Sequence, residues 1–276
     1  MSDKVWLITG ANSGFGRAIA EAAIGAGDRV VATARRAETL DDLVRTHPRQ
    51  VVPVALDVTD HEAIATAVAD VIAEEGRIDV LVNNAGRTHV GAVEETTDEE
   101  LRSLFDVHLF GPAALIRHVL PHMRARKTGA IVQMSSIGGQ LSFAGFGAYS
   151  ATKCALEGLS EALADEVKSF GIKVLIVEPG AFRTSLFENS SGSEDTEIYA
   201  DSAGKTRQMV QANAGKQPGD PAKAAHAVLT ALDAAETPLR LPLGPDSVDG
   251  LLAHLTEVKA EIELWEKVSR DTQLEG

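Results

Sequence analysis

The 276-residue sequence has a single cysteine, Cys154, so no disulfide bond can form within one chain. A chain without a disulfide framework is typical of a reducing compartment, and we expect a cytoplasmic protein. Basic residues are also scarce, since 26 Lys and Arg stand against 40 Asp and Glu, for a net charge of -14. Because an acidic surface repels phosphate groups, we expect neither nucleic acid nor a membrane surface as a partner.

Long apolar runs and clustered metal ligands are missing as well. No apolar run approaches the roughly 20 residues that cross a bilayer, and the apolar start at 5–8 is too short for a signal peptide. The 8 histidines are dispersed, with no His-Glu-x-x-His pattern. With no cysteine pair either, the sequence predicts no metal site.

Short aliphatic and β-branched runs alternate with amphipathic segments along the chain. The predicted strands are 5–9, 29–34, 51–56, 80–82, 130–135, 173–178 and 239–243. The predicted helices are 14–26, 60–75, 98–126, 148–170 and 221–235, with a kink near Pro112 in the third of these. Nearly continuous apolar strands indicate a sheet covered on both faces. This alternation predicts an α/β fold with a parallel sheet and right-handed crossovers, in a single domain over 1–276.

Two segments stand apart from this alternation. The stretch 187–219 is polar and rich in Ser, Gly and Asn, which is typical of a functional lid or a disordered loop. The tail 248–268 repeats apolar residues at helical spacing, which predicts a last helix. We expect its apolar face to pack on the core, with binding to a partner as the alternative.

A glycine-rich turn, Gly10-Ala11-Asn12-Ser13-Gly14-Phe15-Gly16, follows the first strand and opens the first helix. Glycines allow backbone to approach a pyrophosphate closely, and the helix N-terminus offers it free N–H groups. The spacing differs from the usual G-x-G-x-x-G fingerprint, and a purely structural turn is the alternative.

The ends of the next three strands carry residues that suit a dinucleotide. Arg35 and Arg36 follow the second strand, where an NAD site usually offers an acid, so NADP(H) is predicted over NAD(H); surface charges are the alternative. Asp57-Val58 follows the third strand, where the carboxylate can accept from an adenine amine. Asn84-Ala85-Gly86 follows the fourth, and Asn84 suits a structural turn equally well.

Tyr149 and Lys153 are four residues apart on a predicted helix, which puts both side chains on one face. Free tyrosine has a pKa of about 10. A neighbouring ammonium favours the phenolate, so we expect Lys153 to lower the pKa of Tyr149 and make it a usable acid or base.

Together these motifs resemble the short-chain dehydrogenase/reductases, in the single-domain branch of about 250 residues. The matching motifs are Thr9-Gly10-x-x-x-Gly14-x-Gly16, Asn83-Asn84-Ala85-Gly86, Ser136, Tyr149-x-x-x-Lys153 and Pro179-Gly180-Ala181-Phe182-Arg183-Thr184. The resemblance implies a Rossmann-like, doubly wound sheet of seven parallel strands, a nicotinamide cofactor and a homodimer or homotetramer that forms through helices 98–126 and 148–170.

The resemblance also implies residue roles. Tyr149 would be the general acid–base, Lys153 would hold the nicotinamide ribose, and Ser136 would hydrogen-bond the substrate carbonyl. The segment with Pro179, Gly180, Phe182 and Thr184 would meet the carboxamide. The chain departs from the family at His108, which stands where the pattern Asn-Val-x-Gly has its asparagine. His108 would either relay protons as a fourth catalytic residue or simply fill the helix.

The resulting prediction is an NADP(H)-dependent oxidoreductase that interconverts a secondary alcohol and a ketone or aldehyde. A non-catalytic NADP(H)-binding redox sensor on the same fold is the alternative. The family's sensors need not keep the tyrosine and lysine, which favours the enzyme. Leu141, Phe143 and Phe146 precede Tyr149 and suggest an apolar wall, hence an apolar substrate.

Overall fold

The protein is described by a computed structural model that covers residues 3–274, and the predicted seven-stranded parallel sheet is confirmed. Residues 1, 2, 275 and 276 of the predicted domain lie outside the described residues. The strands are β1 Val5–Thr9, β2 Arg29–Ala34, β3 Val51–Ala55, β4 Val80–Asn83, β5 His89–Val90, β6 Gly129–Met134, β7 Ile172–Pro179, β8 Ser191–Gly192 and β9 Arg240–Leu243. The large sheet has the order β3-β2-β1-β4-β6-β7-β9, and β5 pairs with β8 in a small sheet of its own.

The helices cover both faces of the large sheet, as the doubly apolar strands require. They are α1 Gly14–Gly25, α2 Asp41–Thr46, α3 His61–Glu75, α4 Asp98–Phe105, α5 Gly111–Arg126, α6 Gly147–Val167, α7 Lys205–Asn213, α8 Pro221–Asp233 and α9 Pro245–Arg270. Along β1, Trp6 and Ile8 pack in one apolar core with α1 and α8, whereas Leu7 packs in the other with α3 and α5. The two outermost strands carry Pro53 and Pro242, as sheet edges tolerate.

The sheet order places a crevice at the carboxyl end of β1. The chain leaves β1 toward β2 on one side, and β4 lies on the other side, so the connections diverge at the carboxyl end of β1. Ligands of open α/β sheets bind at such a switch point.

The predicted helix over 98–126 is divided by a π-helical turn at Asp106–Phe110. Pro112 stands just after this turn and has no N–H to donate to it, and the wider turn accommodates the proline ring. A side chain at Gly111 would meet the Val58 carbonyl, so the helix passes close to the loop after β3. The turn also carries His108.

The polar stretch 187–219 is anchored to the protein body, which favours a functional lid over the disordered alternative. It contains β8 and α7, and Arg207 forms ion pairs with Glu95 and Asp195. His89 lies between the hydroxyls of Ser191 and Ser193, at 2.9 and 2.8 Å.

The last helix, α9, corrects the expectation of core packing. Leu251 is 4% exposed, but Leu255, Ile262 and Trp265 are 53%, 64% and 58% exposed. The helix follows β9, the edge strand, and runs past the end of the body after its first two turns. None of the helices within residues 3–274 has the length and apolarity needed to cross a bilayer.

Candidate active site

A cleft of about 640 Å³ opens beyond the carboxyl ends of the strands, between the loops that follow β1 to β4, β6 and β7. Most of the residues that the sequence singled out line this one cavity. They are Gly10, Asn12, Ser13, Gly14, Phe15, Arg35, Arg36, Asp57, Val58, Asn84, Ala85, Gly86, His108, Ser136, Tyr149, Lys153, Pro179, Gly180 and Thr184. Gly16 and Phe182 are not among its lining residues.

The glycine-rich turn forms one wall and fits a phosphate group. Gly10 and Gly14 have φ values of 64° and 56°, which suit glycine. A Cβ at Gly14 would lie 3.3 Å from Thr184, so the turn is closed from the opposite side by the loop after β7. The side chain of Ser13, the N-cap of α1, makes no capping hydrogen bond, so the first N–H groups of this helix are open to an anion.

Gly16 supports this turn from beneath. A Cβ there would collide with the Gly10 carbonyl and with the Asn84 side chain. Asn84 Nδ2 donates to the carbonyls of Thr9 and Gly10 at 2.8 and 3.1 Å. Asn84 therefore braces the turn with its amide, which is the structural role that the sequence left open.

The Phe182 side chain lies behind the cleft. Its ring packs on Phe15 at 5.1 Å between centroids and covers Gly219. A ring at this position joins the loop after β7 to the glycine-rich turn, so any cofactor contact of Phe182 would have to be made by its backbone.

Arg35 and Arg36 are exposed at the rim where β2 ends. Neither guanidinium has a hydrogen-bond or ion-pair partner among residues 3–274, so both are free to bind an anion. Asp57 lies nearby, with Oδ1 accepting from the Thr59 N–H and hydroxyl at 2.9 and 2.8 Å. These hydrogen bonds hold the pKa of Asp57 below its usual value despite partial burial, and Arg35 adds to the effect.

The inner end of the cleft holds the predicted catalytic groups. Tyr149 and Lys153 lie on α6 and are 9% and 6% exposed. Lys153 Nζ donates to the Met134 carbonyl at 2.7 Å and lies 5.7 Å from the centre of the Tyr149 ring. Ser136 follows β6, and its Oγ accepts from the Gly138 N–H at 3.1 Å. The structure thus brings Ser136, Tyr149 and Lys153 to one place.

The pKa of Tyr149 moves opposite to our expectation. Burial raises the pKa of this phenol to about 12, and the Ser136 hydroxyl only partly opposes the rise. Burial also lowers the pKa of Lys153 to about 8, against the charge of Glu157. The ammonium donates to a carbonyl rather than to the phenol, so desolvation exceeds its effect on Tyr149.

His108 is held by protein groups on both ring nitrogens. Nε2 accepts from the Arg87 N–H at 3.1 Å, and Nδ1 lies 2.8 Å from Thr152 Oγ1, whose own proton goes to the Tyr149 carbonyl. The proton must therefore sit on Nδ1. Burial, with the charges of Lys153 and Arg87, holds the pKa of His108 well below its usual value, so the imidazole is neutral.

Sequence reasoning missed a buried polar network beneath Lys153. Glu157, one turn further along α6, accepts from the Ser135 hydroxyl and pairs with Arg240, which also binds Glu178. Burial raises the pKa of Glu157 although Arg240 and Ser135 oppose the rise. The four-residue spacing of Lys153 and Glu157 was a signal that the two charges lie near each other, whereas Arg240 comes from β9, the edge strand beside β7.

The substrate end of the cavity also differs from the predicted apolar wall. Leu141, Phe143 and Phe146 are not among the lining residues, and Phe143 is 56% exposed. Leu186, in the loop after β7, lines the cavity instead, and Arg87 contributes a partly buried guanidinium that donates to Ser103.

Comparison with known proteins identifies the same family that the sequence motifs resemble. The family model described as short chain dehydrogenase matches residues 4–195. The oxidoreductase BOA17 of Botryotinia fuckeliana is 40% identical over 269 residues, which are 96% of this chain and 98% of that protein. A 3-ketodihydrosphingosine reductase of Bacteroides thetaiotaomicron is 38% identical over 89% of each chain.

A solved structure of a short-chain dehydrogenase from Streptomyces avermitilis is similar over the whole length. It is 64% identical, covers 99% of each chain and superposes with a TM-score of 0.94. The match therefore includes the segments that lie beyond residue 195.

Proposed function

This chain belongs to the short-chain dehydrogenase family and is an NAD(P)-dependent oxidoreductase, and we propose that it uses NADP(H) to interconvert an apolar ketone and its secondary alcohol. The observation that carries the proposal is the convergence of Ser136, Tyr149 and Lys153 at the inner end of the cleft, opposite the glycine-rich turn. One end of the cavity suits a pyrophosphate, and the other suits a reacting carbonyl.

The proposed cofactor contacts follow the lining of the cleft. The turn from Gly10 to Gly14 and the N-terminus of α1 would hold the pyrophosphate, and Asp57-Val58 would meet the adenine. The unpaired guanidiniums of Arg35 and Arg36 support NADP(H), because a 2′-phosphate offers them a charge-assisted partner.

The bound nicotinamide would supply or accept the hydride. In the reductive direction, Tyr149 would donate its proton to the carbonyl oxygen while the hydride adds to the carbon. A pKa raised by burial keeps the phenol protonated at neutral pH, as a donor requires. Ser136 would donate a hydrogen bond to the same oxygen, and the Lys153 ammonium would stabilise the phenolate left behind.

We assign His108 to positioning rather than proton transfer. Its neutral ring joins the Arg87 backbone to Thr152, and its edge packs against the Tyr149 ring at 5.6 Å between centroids. Because neither ring nitrogen is available to a reacting group, the imidazole would hold α6 and the loop after β4 in register.

An apolar ketone is the proposed substrate class. Leu186 lines the cavity, and Phe146, although it is not among the lining residues, packs on Tyr149 at 6.3 Å between ring centroids. The name of the Bacteroides thetaiotaomicron relative describes a ketone with a long alkyl chain, which is consistent with this class.

The test is NADPH oxidation, followed by absorbance, with apolar and polar ketones matched in reactivity and with NADH in parallel. We expect turnover with NADPH and a larger kcat/KM for the apolar ketones. Tight NADPH binding without turnover on any ketone or aldehyde would instead favour the redox-sensor alternative. The cytoplasmic location and the oligomer formed through α4 to α6 stay predictions.

A further inference from the structure

The distal half of α9 lies outside the protein body. Every residue from 255 to 270 is exposed, whereas Ser247 and Leu251 near the helix start are buried. The Ser247 hydroxyl donates to the Glu178 carbonyl at 2.7 Å and fixes that first part to the body. At 1.5 Å per residue, the exposed part extends for about 24 Å.

The apolar residues of this helix recur at spacings of alternately three and four. Val248, Leu255 and Ile262 occupy one position of a seven-residue repeat, position a, and Leu251, Val258 and Trp265 occupy position d. We call the four members beyond Leu251, which are Leu255, Val258, Ile262 and Trp265, the α9 seam. Such a repeat is typical of a helix that packs lengthwise on another helix.

The seam has no partner within residues 3–274, although it continues the stripe by which Leu251 contacts the body. Its side chains are 53%, 37%, 64% and 58% exposed in chain order. Helices of this length depend on tertiary packing of their apolar face for most of their stability. We therefore propose that the α9 seam pairs with the α9 seam of a second copy of this chain, with the two helices antiparallel.

The charges beside the seam favour the antiparallel direction. Lys259 and Glu266 occupy position e of the repeat, and Glu261 occupies position g. In a parallel pair, positions g and e face each other, so Glu261 would lie beside Glu266 of the partner subunit, with repulsion on both sides. In an antiparallel pair, position e faces position e, so Lys259 lies opposite Glu266 of the partner subunit and Glu266 lies opposite the partner subunit's Lys259. The result is two attractive pairs on that flank of the interface.

The antiparallel arrangement also fits the shape of the chain. The pairing of Lys259 with Glu266 places the two-fold axis near residues 262 and 263, in the middle of the exposed part. The two protein bodies are then attached at opposite ends of the helix pair, so the exposed parts of α9 overlap without a collision between the bodies.

A lipid surface is the less suitable occupant. Helices that lie on membranes carry mostly Lys and Arg on their polar face. The exposed part of α9 carries four acidic residues, Glu257, Glu261, Glu263 and Glu266, against three basic ones, Lys259, Lys267 and Arg270, and the chain has a net charge of -14. An anionic lipid surface would therefore repel the chain as a whole and would not attract this helix.

The first experiment measures the mass of the full chain by light scattering and sedimentation. Ile262→Glu combined with Trp265→Glu should halve the mass, because it places charges in the seam. Leu264→Glu is the matched control, since Leu264 is 78% exposed on the same turns but lies outside the seam. It should leave the mass unchanged, and all variants should keep NADPH-dependent turnover.

The second experiment tests the direction of pairing through dissociation constants. Glu266→Lys should weaken association about tenfold in the antiparallel pair and strengthen it in a parallel pair, where it would face Glu261. The double variant Lys259→Glu with Glu266→Lys should restore antiparallel association.

The proposal is overturned by a mass that is unchanged in the Ile262→Glu, Trp265→Glu variant, or by tighter association of Glu266→Lys. It is also overturned if the wild-type chain is monomeric at high micromolar concentration. Flotation of that monomer with phosphatidylcholine vesicles would then identify a lipid surface as the occupant. These results do not depend on turnover, so they are independent of the proposed reaction.

Discussion

The two ends of the cleft are built in different ways. At the cofactor end, the contacts come from backbone groups of the glycine-rich turn and from exposed side chains such as Arg35 and Arg36. At the catalytic end, Tyr149, Lys153 and His108 are buried, and each is held by neighbours from other elements. Cofactor binding at the first end depends on the conformation of the backbone, whereas the chemistry at the second end depends on the desolvation of buried side chains.

This difference determines how each end responds to change. An exposed guanidinium exchanges water for a phosphate, so its contribution is modest and screened by salt. A buried phenol or ammonium has its pKa set by the surrounding protein, so one altered neighbour changes its chemistry. We therefore expect the largest effects at the catalytic end and cofactor-selective effects at the other.

The largest expected effect is that of Tyr149→Phe. Loss of the general acid should lower kcat by about 10²- to 10⁴-fold, whereas NADPH binding should change little because the ring still packs in place. Steady-state kinetics and a fluorescence titration with NADPH measure the two quantities.

Tyr199→Phe is the matched control for this change. Tyr199 is the second of the two tyrosines, and its hydroxyl bonds Glu94 at a distance from the cleft. An equal loss of kcat in both variants, or a kcat of Tyr149→Phe near that of the wild type, would remove Tyr149 from the reaction.

At the cofactor end, Arg35→Ala combined with Arg36→Ala should weaken NADPH binding by about 1–3 kcal/mol, on the scale of hydrogen bonds to charged groups. NADH lacks the 2′-phosphate, so its affinity should barely change. Titration with each cofactor measures the difference.

Arg45→Ala serves as the control, because Arg45 is an exposed guanidinium on α2 that does not line the cleft. Equal losses for NADPH and NADH in the double variant would show that the two arginines do not recognise a 2′-phosphate.

A smaller effect should follow from the ionisation of Lys153. Its pKa of about 8 means that the ammonium loses its charge as the pH rises through that value. Reduction needs this charge beside the phenolate, so kcat/KM for NADPH should fall about tenfold per pH unit above pH 8. Initial rates from pH 6 to 10 give the profile.

Glu157→Gln tests the origin of that profile. The Glu157 charge raises the pKa of Lys153, so its removal should shift the fall to lower pH. Glu161→Gln removes a more exposed carboxylate that binds the same Arg240, and it should leave the profile in place. A profile that is flat to pH 10 would contradict the assignment.

The contrast between the ends also explains what the sequence could predict. The sheet, its helices and the cofactor loops follow from apolar periodicity and glycine positions, which act over a few residues. Gly10, Gly14 and Asn84 therefore lie where predicted, at the carboxyl ends of the strands. The exact role of Asn84 did not follow, because its amide bonds the carbonyls of a turn more than seventy residues earlier.

The remaining differences between prediction and structure depend on burial and on contacts between residues that are far apart in the sequence. Arg240 reaches Glu157 from β9, more than eighty residues later in the chain, and no local pattern connects them. The rise in the Tyr149 pKa depends on burial, which residue spacing does not report. The tail was misread because a seam of Leu255, Ile262 and Trp265 has the same periodicity whether it packs on the core or projects from it.

The smallest effect on turnover should be that of His108→Asn, since the imidazole has no free nitrogen to offer the reaction. We expect kcat within about threefold of wild type, with a loss of stability of about 1–3 kcal/mol as buried partners lose a hydrogen bond.

His108 stays neutral in the folded protein but accepts a proton at about pH 6.5 in the unfolded chain. The wild-type free energy of unfolding should therefore decrease as the pH falls below that value, and the decrease should be smaller in the variant. Chemical denaturation at pH 7.5 and pH 5.5 measures both. A large loss of kcat with unchanged pH dependence of stability would restore a proton-relay role to His108.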